Sequence, residues 1–147
     1  MQPTPTSTNA PTETVPSPTP ATRPQTWALP RSLPGVLLRL EGGALLAAAT
    51  VFYFSVGGHW LLFLALFLAP DLALVGYLRG PRFGSLTYNL VHTTIIPLLL
   101  LAASLLAGLT PGLLVAAIWL AHIGLDRLVG YGLKYPTDAK DTHLGRV

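Results

Sequence analysis

Four long apolar blocks, each closed by a short run of glycine, proline or charge, fill residues 35–133 of this 147-residue chain. The first extends over 35–56 and stops at Gly57-Gly58. The second covers 59–78 and meets Arg79-Gly80-Pro81-Arg82. The third covers 85–107, where Gly108 to Gly112 interrupt it, and the fourth covers 113–133. Each block is close to the ~20 residues that a helix rising ~1.5 Å per residue needs to cross ~30 Å of hydrocarbon. Connections this short make successive helices antiparallel neighbours. The pattern therefore predicts an all-α, integral membrane four-helix up-down bundle over residues 31–135.

Two polar segments flank it. Residues 1–30 are rich in Pro and Thr, and nine of the fourteen prolines precede Gly35. Such a stretch has too little apolar surface to offset chain entropy, and predicts a disordered N-terminal tail. No basic start leads into an apolar run there, so it does not read as a signal peptide. Trp27 and Arg31 are expected at the membrane surface. Residues 136–147 read as a polar, surface C-terminal tail.

Composition supports a membrane protein. Apolar residues make up 51% of the chain and charged ones 10%, and mean hydropathy is +0.55, too charge-poor for an ordinary soluble domain. A pI near 9.6 would suggest nucleic acid in a soluble protein. Here all nine Lys and Arg residues (Arg23, Arg31, Arg39, Arg79, Arg82, Arg127, Lys134, Lys140 and Arg146) fall on one side of the predicted bundle. The expected partner is thus the lipid bilayer and not nucleic acid. The positive-inside rule predicts both termini and the middle loop in the cytoplasm, in a multi-pass membrane protein. The absence of cysteine excludes disulfides and thiolate ligands. Walker, Rossmann and G-x-S-x-G patterns are also missing.

Against that background the polar residues inside the spans stand out, because ionisable groups in lipid are costly and mark functional sites. Glu41 lies in the first block, Asp71 in the second, Asn89 and His92 in the third, and His122 and Asp126 in the fourth. Counted in helical rise, Glu41, Asp71, His92 and Asp126 share a level roughly 8–11 Å below the cytoplasmic surface, with His122 a turn deeper. His122 and Asp126 are four apart and share a helix face. Two imidazoles and two carboxylates suit a divalent metal such as Zn, Mn or Fe, with Glu41 spare as a catalytic carboxylate. The same residues would serve as hydrogen-bonded pairs tying helices together, or as a proton relay. Arg39, Asn89 and Arg127 are supporting candidates. Arg39 and Glu41 lie about 200° apart on a helix, so one faces in and the other out; Glu41 inward, with Arg39 reaching phosphates, is the expected arrangement. Pro70 is expected to bend the second span, and Gly42, Gly43, Gly76, Gly124 and Gly130 to permit close helix approach. Trp60, Tyr77, Tyr88, Tyr131 and Tyr135 read as an interfacial belt. His59 is expected in solvent and His143 on a surface tail, with a fold-back toward the site as the other option.

The motifs L-R-L-E-G at 38–42, P-D-L at 70–72, G-Y-L-x-G-P-R at 76–82, Y-N-L-x-H at 88–92 and H-I-G-L-D-R-x-x-G-Y-G-L-K-Y at 122–135 resemble a small bacterial membrane-protein family catalogued as domain of unknown function 4260. That resemblance implies a multi-pass protein of the bacterial inner membrane and no particular reaction. A fainter similarity is to membrane-bound metal-dependent hydrolases, on Asp71, His92, His122 and Asp126. Ala73 stands where a second acid would be expected in those proteins, and no His accompanies Arg82. The leading expectation is a metal-dependent, hydrolase-like site for a membrane-proximal small-molecule or lipid substrate. A non-enzymatic membrane module, whose polar cluster holds helices together, and a proton-coupled transporter are the alternatives. The transporter reading would require a homo-oligomer.

Overall fold

A computed structural model describes residues 32–147. The N-terminal segment with Arg23, Trp27 and Arg31 lies outside the described residues. The element order is α1 (Leu33–Ser55), α2 (Trp60–Phe67), a 3-10 helix (Ala69–Arg79), α3 (Pro81–His92), α4 (Ile95–Ala107), α5 (Thr110–Val129) and a short 3-10 turn (His143–Arg146). Four segments are long and apolar enough to span a membrane: Leu33–Ser55, Trp60–Arg79, Pro81–Ala107 and Thr110–Val129. They form the expected up-down bundle. The basic residues lie toward one end, where α1 starts, the 3-10 helix ends, α3 starts and α5 ends; the opposite turns carry none.

The last span collects the others. In α5, Ala116 to Ile118 and Leu120 to Gly124 are all buried, and 44% of its most apolar window is inside the protein, against 6–17% for the other three. Those three show most of their leucines to the outside, as lipid-facing helices should. α1 lies directly on α5. A Cβ added at Gly42 would stand 2.7 Å from both Arg127 Cβ and Leu128 N, and one at Gly124 would stand 2.8 Å from the Gly42 carbonyl oxygen. Nothing larger than glycine fits this crossing.

The spans are less regular than the hydrophobic pattern implies. The second does bend at Pro70, but it also changes helix type, continuing as eleven residues of 3-10 helix. Its side chains follow a period of three: Leu72, Val75 and Leu78 are 71%, 61% and 87% exposed, while Pro70, Ala73 and Gly76 turn inward. The third span starts at Pro81 instead of residue 85, because Gly80, at φ 110°, reverses the chain in a single residue. It then breaks at Thr93, which is extended at φ −77°, ψ 137°. Pro97 has no N–H to offer the Thr93 carbonyl, so the helix cannot run through. The fourth span covers Thr110–Val129, not 113–133. Gly130, at φ 99°, caps it, with Gly130 N donating to Arg127 O at 3.1 Å and Tyr131 N to Asp126 O at 2.7 Å.

The segment after Gly130 folds back over the basic end instead of trailing off as a surface tail. Lys134 pairs with Thr142 in an isolated antiparallel bridge. Asn89 grips the backbone of Lys134 from both sides, its Nδ2 donating to Lys134 O at 2.8 Å and its Oδ1 accepting from Lys134 N at 2.7 Å. Thr142 and Leu144 are buried. His143 does fold back, but its Nδ1 accepts from Leu133 N at 2.8 Å and so braces the loop. His59, at the far end, is exposed and caps α2, its Nδ1 accepting from Leu61 N at 3.2 Å.

Candidate metal centre

The irregular elements deliver four side chains to one point. Asp71 opens the 3-10 helix eight residues before its basic end, and His92 closes α3 eleven residues after its start. At ~2.0 Å per residue of 3-10 helix and ~1.5 Å of α-helix, both lie about 16 Å from the shared Gly80 turn. An α-helical second span would leave Asp71 at only about 12 Å. The longer rise of the 3-10 stretch brings the two into register. Both are therefore deeper than sequence counting placed them, and Asp126 lies within a turn of the end of α5 instead of two turns from it.

One donor atom from each residue points inward. His92 Nε2 and His122 Nε2 are 3.2 Å apart. Asp71 Oδ1 lies 3.6 Å from His92 Nε2 and 3.7 Å from His122 Nε2. Asp126 Oδ2 lies 3.6 Å and 3.8 Å from the same two nitrogens, and all four donor atoms fall within 4.8 Å of one another. The His–Asp separations are too long for hydrogen bonds. The four donor atoms lie close enough together to hold one metal ion between them.

The surroundings orient these donors. His92 is buried, and its Nδ1 lies 2.9 Å from the Tyr88 carbonyl oxygen. A carbonyl only accepts, so Nδ1 carries the proton and Nε2 keeps a free lone pair toward the centre. The Tyr88 ring stacks on His92, with centroids 3.7 Å apart and planes 9° apart, and its hydroxyl donates to Asp126 Oδ2 at 2.9 Å. Tyr88 is 3% exposed, so it belongs to the site and not to an interfacial belt. Its i,i+4 spacing to His92 was the signal available in the sequence. His122 is 1% exposed, and its Nδ1 has no hydrogen-bond partner among the described residues; Phe67 meets its ring edge-on at 5.6 Å.

Glu41 does not join the group. Gly42 takes the inward position against α5, so Glu41 is exposed. Arg39 is the partner that turns toward the protein: its guanidinium lies over Gly130, at the C-terminal end of α5 where a helix dipole favours a cation. The expected orientation of this pair is thus reversed. Arg127 contributes its Cβ to the Gly42 crossing and, with Tyr88, His92, Asp126 and Leu133, lines a small pocket beside the cluster. Asn89 holds Lys134 in place and is not a ligand. The Lys134 ammonium sits 4.2 Å from the Tyr88 ring centroid and 5.6 Å from that of Tyr77. Burial between these rings draws its pKa below the usual lysine value, opposed by the nearby Asp126 and Asp71 carboxylates.

The motifs that suggested a relationship are thus the residues that build this cluster: Y-N-L-x-H supplies Tyr88, the loop anchor Asn89 and His92, and the long C-terminal motif supplies His122, Asp126 and the Gly130 cap. The match to the family described as Domain of unknown function (DUF4260) extends over residues 35–147. The chain belongs to that family. In this DUF4260 protein the matched region takes in all four spans, the cluster and the folded-back C-terminal segment. No curated protein and no solved structure matches it. Neither comparison shows the similarity to membrane-bound metal-dependent hydrolases.

Proposed function

We propose that this protein is a metal-dependent hydrolase of the bacterial inner membrane, with both termini cytoplasmic and a substrate that reaches the site from the bilayer. The observation that carries this reading is the convergence of Asp71, His92, His122 and Asp126 donor atoms within 4.8 Å of one another. The His–Asp separations of 3.6–3.8 Å, longer than hydrogen bonds, favour this reading, while the 3.2 Å contact between the two imidazoles and the Tyr88–Asp126 hydrogen bond also join α3 to α5. The one-sided distribution of basic residues supports the orientation.

The roles divide by exposure. The side chains of His92, His122 and Asp126 are 3%, 1% and 14% exposed, whereas that of Asp71 is 40% exposed. The two buried imidazoles and the largely covered Asp126 carboxylate would make the fixed ligand set and leave a fourth position for water or substrate. Asp71, on the open side, would accept the proton of that water. A bound Zn, Mn or Fe ion supplies a water of lowered pKa and polarises the substrate oxygen. Glu41, exposed and apart from the cluster, has no part in this scheme.

Elemental analysis of the purified protein beside Asp71→Asn and His122→Ala tests it. The wild type is expected to hold close to one metal per chain. His122→Ala should lose the metal while keeping its helical circular dichroism, and Asp71→Asn should bind more weakly and lose hydrolysis. A folded wild type that takes up no metal after reconstitution with Zn, Mn and Fe would falsify the proposal.

A further inference from the structure

Two features next to the cluster lie on opposite sides of it. Toward the middle of the bundle, Leu66, Pro70, Val91, Ile118 and Trp119 line an apolar cleft of about 230 Å³. It adjoins the ligands directly: Pro70 precedes Asp71, Val91 precedes His92, and Ile118 and Trp119 lie one turn before His122. Trp119 is fixed in this wall by donating Nε1–H to the Val91 carbonyl at 2.6 Å. Toward the basic end stands the Lys134 ammonium, held between the Tyr77 and Tyr88 rings. Its backbone is fixed by Asn89 and by the bridge to Thr142. Among the described residues no carboxylate lies within salt-bridge distance of it. Asp126, Asp71 and Asp138 act on it only at longer range, so this half-buried cation has no direct ion pair and its ammonium is left able to take one.

We infer that the substrate is a phosphate-bearing lipid, its phosphate attracted by Lys134 at the basic end of the cluster and an acyl chain lying in the apolar cleft on the other side. This rests on the hydrolase reading above and names its substrate class. An apolar lipid without phosphate would use the cleft and leave Lys134 unpaired. A free phosphate would pair with Lys134 and leave the cleft unused. Only an amphiphile with its headgroup at the basic end matches both, and the scissile bond then falls at the metal. Hydrolysis joins the water oxygen to phosphorus and breaks the bond between phosphorus and the lipid alcohol oxygen. The water proton passes through Asp71 to the departing alkoxide, giving free phosphate and a neutral lipid alcohol.

Trp119 makes the cleft readable. In the full chain carrying Trp27→Phe and Trp60→Phe it is the sole tryptophan, and bromine atoms on an acyl chain quench a neighbouring indole. Protein in phosphatidylcholine nanodiscs is titrated with dibrominated phosphatidic acid, as its phosphonate analogue that has no P–O bond to the lipid to hydrolyse, or with dibrominated diacylglycerol, and metal content is measured on the same samples. Phosphatidic acid is expected to reach half-quenching at about one-tenth the mole fraction that diacylglycerol requires. Lys134→Gln should erase that advantage, Lys134→Arg should retain it, and Lys140→Gln, at an exposed position, should leave it intact. Millimolar inorganic phosphate should not reverse the quenching. Equal quenching by the two lipids, a preference that survives Lys134→Gln, or displacement by inorganic phosphate would each overturn the inference. Metal-free wild-type protein overturns the hydrolase reading and this inference with it. A metal-loaded protein without phosphate preference overturns this inference alone.

Discussion

At the charge-free end of the bundle α1 and α2 meet through rings. Tyr53 packs edge-on against Phe63 with centroids 5.1 Å apart, Phe54 stacks on Phe63 at 5.7 Å, and Phe63 on Phe67 at 5.2 Å. The helices there are regular, and the fully buried Tyr53 hydroxyl closes the turn by donating to His59 O at 2.8 Å. At the basic end the same chain uses a long 3-10 helix, a one-residue turn, a broken helix and a folded-back loop. Irregular backbone inside a membrane is tolerated where protein or a polar cavity satisfies it. Here each irregularity moves a cluster residue: the 3-10 rise sets the depth of Asp71, the break at Thr93 ends α3 at His92, and the Gly130 cap stops α5 one turn after Asp126. One end is built for packing, and the other gives up regularity to assemble a site.

Substitutions can separate the two. The largest expected effect is at the charge-free end, where Tyr53→Ala empties a fully buried ring position and removes the bond to His59. We expect a loss of about 3 kcal/mol in detergent unfolding, with metal stoichiometry unchanged in the fraction that remains folded. A parallel loss of metal would mean that the two ends are not independent. Next is Tyr88→Phe, which keeps the stack on His92 but removes the hydroxyl that orients Asp126. Metal affinity should fall by about 10- to 100-fold in a competition titration with a chelator, with little change in thermal unfolding. The smallest is Asn89→Ala, which releases the Lys134 backbone. Hydrogen exchange across residues 132–144 should speed up by an amount corresponding to about 1–2 kcal/mol for two hydrogen bonds, with metal content retained. Slow exchange in that variant would show that the loop is held by Thr142 and Leu144 instead.

What the sequence reveals follows the same division. The four spans and the cluster are legible because lipid penalises each ionisable residue separately, so Asp71, His92, His122 and Asp126 mark themselves whatever their neighbours do. Backbone irregularity has no such signature. The period of three in Leu72, Val75 and Leu78 spans only two repeats, and Pro97 acts on the carbonyl of Thr93, away from its own position. The Arg39 and Glu41 pair allowed either orientation from local spacing. The close crossing at Gly42, made by residues more than eighty positions later in the chain, decides it. The role of Lys134 likewise depends on Asn89 and Tyr88, reached only through the fold-back.

The central position of α5 also orders events in time. The first span has its principal contact with the fourth, and half of the cluster donors arrive on that same helix. While the chain is being inserted, α1 therefore waits in lipid with its Gly42 face uncovered, and Asp71 and His92 wait without their counterparts. Insertion and assembly are separated, and the cluster, with any metal it would hold, is completed only once the fourth span is in place.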